Sequence, residues 1–192
     1  MVVVGIMILM TAVVLVQSSK FNGSILMRSL AANIGLSIRE AQLYGVSVKQ
    51  ASATTSGFSH AYGVHLTSNT SYLVFADTND DNMYSDGDSI VDTFTLPNGF
   101  TMDVCVENSV SSTCIGPCPS SPVLSACSTA NTPITSLDIM FKRPNPNASF
   151  MVTGGVENAS YNGAVLVLLP PPNSTAPSRT ITVYPTGLIA IQ

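Results

Sequence analysis

The residues best suited to chemistry lie in one short stretch, from Asp77 through Thr78, Asn79, Asp80, Asp81, Asn82, Met83, Tyr84, Ser85, Asp86 and Gly87 to Asp88. Counted from Asp77, side-chain oxygens stand at the first (Asp77), third (Asn79), fifth (Asp81) and twelfth (Asp88) positions. Met83, at the seventh, offers a main-chain carbonyl. A hard cation such as Ca2+ takes about six to eight oxygens at roughly 2.3–2.6 Å, and a tight loop with this spacing converges them. Charge argues the same way. Asp77, Asp80, Asp81, Asp86 and Asp88 crowd one turn and repel one another without a cation. The nearest basic residues along the chain, Lys49 and Lys142, are far away in sequence. Asn82 occupies the place where glycine makes the sharp turn, but asparagine tolerates the left-handed conformation. Asp88 replaces a longer glutamate. The competing reading is an acidic turn in which Asp and Asn serve only as turn formers. The expected cofactor is a structural Ca2+, because nothing beside the loop serves as a base.

The second cluster is Cys105, Cys114, Cys118 and Cys127, in a stretch (105–133) rich in Pro, Gly and Ser. An even count in a loop of that composition reads as two disulfides. Cys105–Cys127 enclosing Cys114–Cys118 and Cys105–Cys114 beside Cys118–Cys127 are both sterically reasonable, with a lean to the second. Free thiols or a zinc site are the alternatives, and the spacing of eight, three and eight fits zinc poorly. His60 and His65 have no acidic or nucleophilic neighbour at a useful spacing and read as surface strand residues. No nucleophile motif, glycine-rich phosphate loop or base with an orienting partner occurs, so an enzyme is not expected.

These groups must be positioned by a chain of 192 residues with 9% charged residues and a net charge of −4. Lys142-Arg143 is the one adjacent basic pair, too little for a nucleic-acid surface. Asn22, Asn69, Asn147, Asn158 and Asn173 open Asn-x-Ser/Thr triplets, which a chain this rich in Asn, Ser and Thr produces by chance. From Met1 to Val16 there is neither charge nor proline. Leu26, Leu30, Ile34, Ile38, Ala41, Gly45 and Val48 then recur at steps of three or four. One helix over residues 1–50 is expected, ending by Gly57. Its first part (1–17) would be membrane-spanning or filament core, with Val2, Ile6, Ile8, Leu9, Val13 and Val16 in the apolar surface. Residues 51–192 read as a globular β domain. Its strands are expected at His60–Leu66 and Ser71–Ala76, at Ile90–Leu96 and Phe100–Val106 as a hairpin around Pro97-Asn98-Gly99, and at Leu137–Lys142, Ser149–Thr153, Ala164–Leu169, Arg179–Tyr184 and Leu188–Ile191. The fold class is therefore α+β, a long N-terminal helix packed on a C-terminal antiparallel β-sheet domain.

Met1-Val-Val-Val-Gly-Ile-Met-Ile-Leu9 resembles the segment that follows the Phe-Thr-Leu-Ile-Glu-Leu start of mature type IV pilins and type II secretion pseudopilins. Ser37-Ile-Arg-Glu-Ala-Gln-Leu-Tyr-Gly-Val-Ser-Val48 and Thr180-Ile-Thr-Val-Tyr-Pro-Thr-Gly-Leu-Ile-Ala-Ile191 resemble the H-class minor pseudopilins, while Cys105–Pro133 lies outside the likeness. The resemblance implies a pilin-like fold and a structural subunit held in the cytoplasmic (inner) membrane, then drawn into an extracellular filament. The implied partners are other pilin subunits. A membrane-tethered calcium-binding adhesin that never polymerises is the alternative from a different class.

Overall fold

In a computed structural model, the chain is described over residues 2–47, 60–67, 69–97, 99–107, 112–115, 134–154, 161–172 and 174–192, without the side chains of 14–22 and 112–115. One helix, α1 (Val2–Val46), precedes ten strands. They are β1 (Ala61–Leu66), β2 (Ser71–Asp77), β3 (Ser89–Thr95), β4 (Thr101–Glu107), β5 (Ser112–Ile115), β6 (Ser136–Phe141), β7 (Ala148–Thr153), β8 (Gly163–Leu169), β9 (Arg179–Val183) and β10 (Ile189–Ile191). The α+β class holds: an N-terminal helix packs on antiparallel β-sheets. The strands form two five-stranded sheets rather than one, ordered β3-β2-β1-β6-β7 and β10-β9-β8-β4-β5.

Period-two alternation gives each sheet an inner face. Val64, Leu66, Tyr72, Val74, Leu137, Ile139 and Phe141 from the first sheet meet Met102, Val104, Val106, Ala164, Leu166, Leu168, Ile181 and Val183 from the second in one core. Met27, Ala31, Ile34, Ile38 and Ala41 of α1 complete it. The buried stripe enters at Met27, not Leu26, which is exposed; from Ile34 onward it follows the sequence pattern. Three features seat the helix. Gly45 lies where any Cβ would run into the Phe141 carbonyl, so only glycine permits the approach. The Ser37 hydroxyl and the Tyr72 hydroxyl are 3.1 Å apart. Gln42 Nε2 donates to the carbonyls of Pro146 (2.9 Å) and Gly187 (3.0 Å).

The structure corrects several expectations. The Pro97-to-Gly99 turn is not a hairpin: β3 pairs with β2, whereas β4 pairs with β8 and β5. Leu96 and Phe100 both enter the common core, and Gly99 (φ 86°) reverses the chain between sheets. Burying the two flanking apolar residues prevails over the local hairpin. The helix is described over Val2–Val46; Gly57, the end expected from the absence of proline, lies outside the described residues. Among the described residues no helix is long and apolar enough to cross a membrane; the side chains of 14–17, part of the stretch expected to span or to form filament core, lie outside the described residues. Val2, Ile6, Ile8, Leu9 and Val13 are all exposed. The side chain of Val16 lies outside the described residues, as does Val48.

Candidate metal centre

β2 ends at Asp77 and β3 begins at Ser89, so the loop between them is fixed at both ends by a register that pairs Ala76 with Ser89. Asp80 (φ 60°) and Asn82 (φ 63°) both adopt the left-handed conformation, which folds the loop tightly. Main-chain amides inside it are taken up by the carboxylates. Asn82 N–H donates to Asp77 Oδ2 (2.9 Å) and Met83 N–H to Asp81 Oδ1 (2.8 Å). Thr78 N–H donates to Asp88 Oδ1 (2.9 Å) and Ser85 N–H to Asp88 Oδ2 (2.8 Å).

This folding brings one oxygen each of Asp77, Asp81 and Asp88 within 4.8 Å of one another, a cluster that could hold a metal ion. Asp77 is fully buried (0 % exposed), and its Oδ1 has no hydrogen-bond partner. Burial pushes the Asp77 carboxyl above the ordinary carboxylate range, and the Asp88 and Asp81 charges add to that rise. The Asn82 and Asp80 amides oppose it. A buried carboxylate with an orphaned oxygen, close to two further carboxylates, is a costly arrangement. At an effective dielectric of about 20, two charges at this separation repel by roughly 3 kcal/mol, less where one is exposed, as Asp81 is. A divalent cation held by the cluster would offset that repulsion.

The other two positions expected from spacing, Asn79 and Met83, take part in the loop's own hydrogen bonds. Asn79 turns inward on the loop: its Nδ2 donates to Asp81 Oδ2 (2.8 Å) and Ser85 Oγ (2.9 Å), and its Oδ1 accepts from Asp81 N–H (3.1 Å). Lys142, remote in sequence, reaches Asp80 with Nζ–Oδ1 at 3.0 Å, a half-exposed pair that leaves the three clustered carboxylates unneutralised.

The loop also folds back over the outer face of the first sheet, a feature the sequence did not reveal. His65 and Asp138 are register partners on β1 and β6, with Nδ1 and Oδ1 2.6 Å apart. Both are buried, at 9 % and 2 %, so His65 is not the surface residue expected. The Tyr84 ring lies over His65 (centroids 4.5 Å) and edge-on to Phe75 (5.2 Å). The available signal was a histidine and an aspartate on strands otherwise apolar. The ring nitrogens of His60 are buried without a partner among the described residues.

No described cysteine is free. Cys105 is fully buried on the outer face of the second sheet and disulfide-bonded, and the residue opposite it in register is Cys114. Cys118 and Cys127 lie outside the described residues. No protein-family model, no curated protein and no solved structure matches the chain. What the fold defines is therefore a class, an N-terminal helix packed on antiparallel β-sheets, compatible with a pilin-like architecture.

Proposed function

We propose that this chain is a structural pilin-like subunit that assembles through its N-terminal helix into an extracellular filament, a type IV pilus or a type II secretion pseudopilus. The supporting observation is the division of α1. Its second half is seated in the domain core, while Val2–Val13 presents apolar side chains on every side of a helix with no cover from its own domain. A surface of that kind needs an apolar environment, since each fully covered Val, Leu or Ile is worth about 1.5–3 kcal/mol. The equivalent segments of neighbouring copies supply it in a filament, and the cytoplasmic membrane shields it before assembly. The carboxylate cluster takes a structural Ca2+, whose preference for several carboxylate oxygens in a flexible loop suits Asp77, Asp81 and Asp88. Cys105 pairs with Cys114 across β4 and β5, the connectivity their register favours. None of these roles is catalytic.

The test is filament formation by cells producing the protein. Ile8→Asp and Val13→Asp each place a charge among packed apolar helices, which costs several kcal/mol when unpaired. Both variants should fold and yet give no filaments in electron micrographs. Wild-type abundance of filaments from both would overturn the reading.

A further inference from the structure

We propose that His65 and Asp138 are positioning residues for the metal centre, holding the loop at the carboxylate separation an ion requires without touching the ion. The inference rests on the metal reading given above. Asp138 divides its two oxygens between the sheet and the loop: Oδ1 faces His65 Nδ1 at 2.6 Å, and Oδ2 accepts the Tyr84 N–H at 3.4 Å. Tyr84 sits between the two exposed-side carboxylates in sequence, after Asp81 and before Asp88. Pinning its main chain to β6 and its ring to His65 and Phe75 therefore fixes the segment that carries both.

The seat for that ring is built into the sheet. Ala61, Phe75 and Met140 form a small apolar cluster on the outer face, with Leu73 and Tyr84 packed against it. Gly63 leaves room there: a Cβ would collide with the Met140 sulfur and press on the Phe75 ring. Within this apolar surround an Asp on its own would be costly, and His65 satisfies the oxygen that the loop does not use. Pairs of this kind behind a metal site orient the groups in front of them, and losing one typically weakens metal affinity about 10–100-fold.

Calcium titration calorimetry on the full chain in detergent, well below its melting temperature, tests the idea. The wild type should bind one Ca2+, and His65→Leu, Asp138→Ala and Tyr84→Ala should each bind at least about tenfold more weakly. His65→Gln, which keeps a side-chain donor for Asp138, should recover most of the affinity. Thermal unfolding in chelator is measured alongside, because a purely structural role would lower stability while leaving the dissociation constant of the folded protein unchanged. Should Asp138→Ala not fold, Tyr84→Ala decides, since it alters a half-buried loop residue and leaves the sheet intact. No calcium uptake by the wild type would overturn the metal reading itself. Wild-type binding with variants within twofold of it would overturn the positioning role alone.

Discussion

Asp77 is the residue on which the candidate metal centre turns, and its protonation gives a signed prediction. Burial raises its carboxyl pKa in the folded protein, so the ion-free fold prefers the protonated acid. The stability this confers is complete below the unfolded value, about 3.9, and is lost as pH rises through the higher folded value. In chelator, wild type and Asp77→Asn should therefore have similar stability at low pH, and the variant should become the more stable as pH approaches neutrality. Calcium should reverse that order near pH 7. An ion at 100 times its dissociation constant adds about 2.7 kcal/mol to a fold that alone can bind it, and Asp77→Asn forfeits the gain. Denaturant midpoints with and without calcium, from pH 3.5 to 7.5, measure both effects. A calcium response retained by the variant would remove Asp77 from the site. The neighbouring role of Lys142 shows how the sheet changes local charge: the lysine just after β6, distant in sequence, reaches Asp80 and leaves Asp77, Asp81 and Asp88 as the uncompensated set.

At the scale of elements, α1 carries two surfaces that one substitution each can separate. Ile38 is fully buried in the common core, and Leu36, two residues earlier, is 64 % exposed. Ile38→Ala should lower domain stability by about 2–5 kcal/mol, whereas Leu36→Ala should change it by less than about 0.5 kcal/mol. Equal losses from the two in urea unfolding would mean that the helix is seated differently. The helix and most strands were legible because their signals are local: three-to-four periodicity from Leu30 to Gly45, alternation in Leu137–Phe141, and a continuous apolar run over Ala164–Leu169. The division into two sheets was not, because Pro97-Asn98-Gly99 reads as a hairpin turn until Leu96 and Phe100 both find a core contributed by distant strands. β5 was hidden for a related reason. Ser112–Ile115 lies in a Ser- and Cys-rich stretch and acquires strand character only by pairing with β4. In the site, the carboxylate spacing could be read directly, but the His65–Asp138 pair depends on β1 and β6 lying side by side, and 73 residues separate the two in the chain.

The whole molecule divides the apolar surface of α1 into a seated part and an exposed part, and the proposed filament role predicts that folding and assembly separate cleanly. Every described helix residue in the common core lies from Met27 onward, and Gly23 already touches the second sheet's side of the domain, where a Cβ would meet Ala176. Val2–Val13 makes no contribution to that core. A chain covering residues 23–192 therefore retains every described core side chain, together with the Ser37–Tyr72 and Gln42 hydrogen bonds that seat the helix. It should fold, melt within a few degrees of the full chain, and keep the same calcium response, because the metal loop lies wholly within the retained sheets. It should also stay monomeric without detergent, as the exposed valine, isoleucine, leucine and methionine side chains of Val2–Val13 are gone, and it should not enter filaments formed by the full chain. Differential scanning calorimetry and analytical ultracentrifugation on the shortened chain check the two halves of the expectation. A shortened chain that fails to fold would show that the first half of α1 is part of the domain. One that folds and still co-assembles would move the assembly surface from Val2–Val13 to the domain itself.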